Sequence, residues 1–349
     1  MYGLLSLKSL LLARANSPVK NQYRYLFHII STSSIGELLN TSQINYDVRK
    51  YIENDPLLDM RVYSIDDLDK AVRYLGDNPD LIPHTIFKPC AASRLKLPYI
   101  LYYQSILYQE KNYIELSKFY DGNLGKFYEL PSSIIYLDWD TLVTCDLLNL
   151  HQHFQDYNTH QYIGFALNDP TGLSEKDIYK EWNLLRPKVG AVSSGVMMLD
   201  LEKMFSNNLY ILHQYWLGMY QVIVDKVPNI TTGTADFWEL TNAFPLGDQD
   251  VLNIFIHKNN DILYLIPPEY NWCLADMVPF DQYKQKYSRV RPIPCIYHVC
   301  GQRLFTDMMR QDNSPDDTYI KHLFKYVKFA YLDIPEPYPG VYVPPVNVK

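Results

Sequence analysis

Residues 133–143 read SIIYLDWDTLV, and this stretch decides the fold. Ile134, Ile135, Tyr136 and Leu137 make an apolar, β-branched and aromatic run. Bounded by Pro131 and a polar turn, such a run predicts a buried strand. Asp138 and Asp140 follow, with one residue between them. On an extended backbone residues two apart face the same side, so both acids are expected to leave the strand end together. Close carboxylates repel and raise each other's pKa unless a cation sits between them. A hard divalent ion with oxygen ligands resolves that repulsion. The alternative is a pair of strand-end acids in a solvated turn, because D-x-D is a short pattern.

The pattern on either side alternates between helix and strand. Leucines at helical spacing over residues 2–15 predict a helix, and Lys8 among them favours a buried amphipathic helix over a signal peptide. Residues 23–30 and 59–63 are strand candidates, with a helical stretch at 36–54 between them. Pro89 opens a helix over 89–97 whose small residues Ala91, Ala92 and Ser93 permit close packing. Arg94 projects from that helix, either toward a ligand or as a salt-bridged surface residue. Residues 99–131 are tyrosine-rich and polar, and read as an insertion of a helix and a loop over about 102–129. Downstream, a short helix (147–154) and a strand (162–166) precede a polar excursion over 168–189, of the kind that lines binding clefts.

A second apolar strand, residues 191–200 (AVSSGVMMLD), carries Gly195, where another group can approach closely. A helix over 201–220 follows. Asp248 and Gln249 then open an amphipathic helix, where capping is their alternative role. A short strand spans 263–267. Residues 296–301 (IYHVCG) form a last strand ending in His298, a metal ligand or a satisfied structural histidine. The tail from 335 is proline-rich and extended. This order predicts an α/β layer with a mostly parallel sheet flanked by helices.

Composition narrows the partners. With 47% hydrophobic and 20% charged residues, 349 residues support a substantial core in one large domain or two ordinary ones. The net charge of -7 argues against a nucleic-acid partner. The 31 tyrosines suit sugar-stacking clefts, or reflect drift in composition. The cysteines (Cys90, Cys145, Cys273, Cys295, Cys300) show no C-x-x-C pair and no zinc spacing, so at most two disulfides form. Asn40 and Asn229 head N-x-S/T triplets that would be glycosylated in a secretory lumen. No run approaches the ~20 apolar residues of a membrane span. Without a P-loop, a G-x-G-x-x-G after a strand or a G-x-S-x-G elbow, kinase, oxidoreductase and hydrolase readings lose their local signatures.

In this order PCAASRLKLP, IIYLDWDTLV, SSGVMMLDL, GDQDVLNIF and a late histidine–glycine resemble glycosyltransferase family 8. FKPCAASRLKLP and GDQDVLNIFIHKNNDILYLIPPEYNW bring the likeness nearest to the glucoside xylosyltransferases of that family. The resemblance implies one GT-A, Rossmann-like catalytic domain over 1–334 with a tail at 335–349. It implies retaining transfer of xylose from UDP-xylose to O-linked glucose on EGF-like repeats, with Mn²⁺. Asp138, Asp140 and His298 fall at the family's metal ligands. Arg94, Asp138, Ser193, Gly195 and Gly301 fall at donor-binding positions, and Asp248 and Gln249 at the catalytic pair lining the sugar. The alternatives are another UDP-sugar donor, or a non-catalytic member that binds a glycoprotein or a partner enzyme. Three departures stand out. Ser193 replaces the asparagine of N-S-G-V. The motif from His298 to Gly301 lacks the Lys-Pro-Trp of many members, with Arg303 as a possible substitute for the lysine. The family's first strand and membrane anchor have no counterpart in the chain. The resemblance places the protein in the Golgi or ER lumen as a type II membrane protein anchored outside this chain.

Overall fold

The strand expected before the acid pair is present and stops at Leu137, but it is half-buried along its length rather than buried. A computed structural model describes residues 2–30, 48, 50–52, 54–81, 89–117, 131–167, 192–232, 237–244, 247–273 and 294–298. In chain order they form α1 (Tyr2–Ala15), β1 (Tyr25–Ile30), β2 (Leu58–Tyr63), α2 (Ile65–Tyr74), α3 (Pro89–Gln109) and α4 (Tyr113–Ser117). Next come β3 (Ser133–Leu137), β4 (Thr141–Val143), α5 (Leu148–Gln152), β5 (Ile163–Leu167) and β6 (Val192–Asp200). Then follow α6 (Leu201–Lys226), α7 (Phe237–Ala243), α8 (Asp248–Lys258), β7 (Leu263–Leu265), β8 (Trp272–Cys273) and β9 (Ile296–His298). Most of the helix expected over 36–54 lies outside the described residues, as do the excursion at 168–189, Gly301, Arg303 and the tail at 335–349.

The main sheet has the order β3-β6-β5-β7. β6 runs antiparallel to β3 and β5, and β7 is parallel to β5, so three of the four strands point one way. β6 separates two apolar cores by simple alternation. Met197 and Leu199 enter the larger core with Tyr99, Tyr215, Trp216 and Phe255. Val196 and Met198 enter the other with Leu11, Leu142 and Ile296. Each such fully buried side chain contributes about 1.5–3 kcal/mol. A smaller sheet, β4-β9-β8, lies in the second core, with β9 antiparallel to β4 and parallel to β8. β1 and β2 pair in parallel.

Two elements differ from the expectation. α1 is buried on all sides over residues 6–15 and is not amphipathic. Its serines are satisfied at long range: Val143 N donates to Ser9 Oγ at 2.9 Å, and Ser6 Oγ lies 3.0 Å from Thr141 Oγ1. Buried hydroxyls with partners cost little. α3 continues through Pro98 to Gln109, beyond the expected span of 89–97. Proline removes one helical hydrogen bond, but Tyr99, Ile100, Leu101, Tyr103 and Leu107 bury into the larger core and hold the helix straight through. Within 102–109, Tyr103, Gln104, Ser105 and Leu107 are buried, while Gln109 is exposed. Among the described residues no helix is long and apolar enough to cross a membrane.

Candidate active site

The acid pair sits where the chain crosses from one sheet to the other. Asp138 N donates to Gly195 O at 2.8 Å, extending the β3–β6 ladder by one residue. Thr141 N and Thr141 Oγ1 donate to Asp138 O at 3.2 and 2.8 Å, closing a tight turn over Asp138, Trp139 and Asp140. The carboxylates converge through this turn, not through strand alternation as the sequence suggests. β9 pairs with β4 so that His298 stands opposite Thr141. His298 Nε2 lies 3.3 Å from Asp140 Oδ1 and 3.9 Å from Asp138 Oδ2. One ligand atom from each residue falls within 4.8 Å of the others. Gly195 makes room for this: a Cβ there would overlap the His298 ring. His298 Nδ1 is buried without a partner among the described residues, while Nε2 faces Asp140. Two carboxylate oxygens and one imidazole nitrogen suit a divalent ion such as Mn²⁺, so the residues present fit the implied metal.

Arg94 ties the second half of the site to the first. Its Nη1 donates to Asp138 Oδ2 at 3.2 Å and to Ser194 O at 2.7 Å, and its Nε lies 2.7 Å from Asp248 Oδ2. The guanidinium lies over the Tyr136 ring, 5.2 Å from its centroid. Burial disfavours the arginine's charge, but Asp138 and Asp248 outweigh it and hold the group protonated. Tyr136 OH donates to Asp138 Oδ1 at 2.6 Å, and burial keeps that phenol protonated well above its ordinary range.

α8 begins after Gly247, whose φ of 68° suits glycine and which makes no side-chain cap. Gly247 is the N-cap, so Asp248 and Gln249 are the first two residues of the helix, and the Asp248 carboxylate accepts a hydrogen bond from its own backbone N–H. Gln249 Oε1 accepts from Ser194 N at 3.2 Å and Ser194 Oγ at 3.1 Å. One turn on, Asn253 clamps the start of β6, accepting from Val192 N at 2.8 Å and donating to Val192 O at 3.0 Å.

Of the residues singled out from the sequence, Arg94, Asp138, Asp140, Gly195, Asp248, Gln249 and His298 thus form one connected cluster. Ser193 lies beside it in β6, its Oγ buried and without a partner among the described residues. Gly301 falls outside the described residues. Sequence reasoning missed Tyr136 and Asn271. Tyr136 stands two residues before Asp138 on one strand face, a signal that was available. Asn271 Nδ2 donates to Ser193 O at 3.3 Å, a contact between distant segments that no local pattern marks.

Burial pushes the Asp248 carboxyl up to about 7; Arg94 pulls it down and Asp138 adds to the rise. Between the ordinary carboxylate range and pH 7 the folded protein therefore binds more protons than the unfolded chain, so stability falls as pH rises through that window. Asp248→Asn is expected to flatten this slope in the metal-free protein. Urea unfolding between pH 4.5 and 7.5 checks it, and an unchanged slope would refute the assignment.

A sheet with one reversed strand, flanked by helices and carrying an acid pair beside a late histidine, has the GT-A glycosyltransferase fold. The apo form of mouse xyloside xylosyltransferase 1 matches with a TM-score of 0.52 at 16% identity, over 86% of this chain and 91% of that one. Galactosyltransferase LgtC, in complex with donor and acceptor sugar analogues, matches at 0.51 and 16% identity, over 97% and 95%. In sequence the chain is similar to glucoside xylosyltransferases. It is 27% identical over 193 residues to glucoside xylosyltransferase 1 of Danio rerio, covering 54% of this chain and 37% of that protein. Glucoside xylosyltransferase 2 of Xenopus laevis gives 27% over 193 residues, covering 54% and 36%. The glycosyltransferase-like protein LARGE of Caenorhabditis elegans gives 27% over 144 residues, covering 41% and 20%. The matched part thus spans little more than a third of these relatives at most. No family model matches the chain.

Proposed function

We propose that this chain is a retaining, Mn²⁺-dependent glycosyltransferase that moves xylose from UDP-xylose to O-linked glucose on EGF-like repeats. The observation that carries the reading is the convergence of Asp138, Asp140 and His298 beside the Arg94–Asp248 and Ser194–Gln249 pairs. The leaving group is UDP, whose diphosphate gathers negative charge as the sugar–oxygen bond breaks. Asp138, Asp140 and His298 would hold a divalent cation, which supplies Lewis-acid stabilisation of that charge. Arg94 fixes Asp138 and Asp248 in place. Ser194 orients Gln249 through its carboxamide oxygen. Gln249 is a weak nucleophile and Asp248 is held by Arg94, so front-face displacement fits these residues better than a covalent intermediate.

The Cys145–Cys295 disulfide supports an oxidising compartment. With the resemblance, that favours the Golgi or ER lumen. The unpartnered Ser193 hydroxyl, where the family has asparagine, favours a second reading with another UDP-sugar donor, since a hydroxyl offers fewer hydrogen bonds than a carboxamide.

A donor panel on a glucoside acceptor, with and without Mn²⁺, tests these readings. The expected result is turnover with UDP-xylose that chelation abolishes. Turnover with a different sugar nucleotide would transfer the assignment to the second reading. Failure of every donor, with no UDP binding by calorimetry, would overturn both in favour of a non-catalytic binder.

A further inference from the structure

β9 delivers the imidazole of the site, yet it is short. It registers with β4 at Thr141↔His298, Leu142↔Tyr297 and Val143↔Ile296. In a strand, a slip of one residue turns every side chain to the opposite face. A slip here would take His298 away from Asp138 and Asp140. β9 also pairs in parallel with β8, and contacts beyond both ladders reinforce the register.

The residues past the far end of the β4–β9 ladder provide them. Thr144 N donates to Cys295 O at 2.8 Å, and Thr144 Oγ1 lies 2.9 Å from Pro294 O and 3.1 Å from Cys295 O. Cys295 N donates to Glu269 O at 2.7 Å, tying the same point to the segment before β8. A disulfide then joins Cys145 to Cys295, with Cα atoms 5.1 Å apart and a sequence separation of 150. Both cysteines are buried in the second core. Cys145 follows Asp140 by five residues and Cys295 precedes His298 by three. The covalent link thus closes one end of a short ladder whose other end holds the metal ligands.

We propose that the Cys145–Cys295 disulfide is a positioning device for the metal site: it locks the β4–β9 register that sets His298 against Asp138 and Asp140. The proposal rests on the metal reading above. It predicts that the cation's affinity depends on the oxidation state of two cysteines that are not ligands.

The test compares Mn²⁺ binding by the oxidised chain, by Cys145→Ser/Cys295→Ser, and by wild-type protein reduced with a dithiol. In the reduction the S–S bond takes two electrons and two protons from the dithiol, which leaves as its own disulfide and is removed without oxygen before titration. Free Mn²⁺ is followed by electron paramagnetic resonance. The expected result is Mn²⁺ affinity at least about tenfold weaker in both altered forms, as when residues supporting metal ligands are lost. Circular dichroism should remain wild-type. In turnover assays the Mn²⁺ requirement should rise while kcat at saturating Mn²⁺ changes little. Equal affinity in all three forms overturns the positioning role and leaves the metal reading standing. No binding even by the oxidised chain overturns the metal reading and the positioning role with it. Loss of the fold in both altered forms also overturns the proposal, because the link would then hold the whole domain rather than one register.

Discussion

Asp140→Asn is expected to lower turnover about a thousandfold or more while the protein keeps its fold. The carboxylate lies 3.3 Å from His298 Nε2, in a group with Asp138 that could hold a divalent cation. Asparagine keeps the size and one oxygen but removes the charge that holds a divalent ion. Lewis-acid stabilisation is worth several kcal/mol, and each 1.36 kcal/mol is tenfold in rate, which gives the expected loss. Stability should stay level or rise, because a neutral amide no longer repels Asp138. Two measurements check this: turnover over a Mn²⁺ titration, and thermal unfolding with a chelator present. Near-wild-type turnover at low Mn²⁺ would remove Asp140 from the metal site. A lower unfolding temperature would show instead that Asp140 has a structural task.

What could be read in advance depended on whether a cause was local. The β3 strand and its acids were legible because Ile134, Ile135 and Leu137 set the apolar run and Asp138 and Asp140 end it. Their convergence was assigned to the wrong cause. The three residues of β4 are too few to mark a second strand, so the crossing between sheets was hidden. Arg94 stood out on its helix, but its anchor Asp248 lies far along the chain and only the fold joins them. Tyr136 was read as filler in an apolar run, although its position two residues before Asp138 places it on the same face. α1 was misread because Ser6 and Ser9 are satisfied by Thr141 and Val143, which no helical pattern reveals. The helix expected over 89–97 runs on to Gln109, because the packing of Tyr99 to Leu107 outweighs the one hydrogen bond that Pro98 removes. The disulfide was invisible, since five cysteines with no diagnostic spacing permit many pairings.

Arg94→Met should produce the largest loss of stability at the site. The side chain is buried and faces Asp138 Oδ2 at 3.2 Å, Asp248 Oδ2 at 2.7 Å and Ser194 O at 2.7 Å. Methionine fills much of the space over Tyr136 but leaves the buried Asp248 and the half-buried Asp138 without their cation. Removing one partner of a buried ion pair costs about 3–5 kcal/mol. The loss should depend on pH with a definite sign. Asp248, already pushed up to about 7 by burial, loses the pull of Arg94 and rises further. The folded variant then holds a proton that the unfolded chain has released, so the variant becomes less stable as pH rises from 5 to 8. Adding Asp248→Asn removes that buried charge. The double variant should recover at least half of the loss at pH 8 and little at pH 5. A double-mutant cycle by urea unfolding, run with a chelator so that no cation replaces the guanidinium, measures this coupling. Additive losses at both pH values would mean that Arg94 and Asp248 do not stabilise each other, and that the second half of the site is held by packing alone.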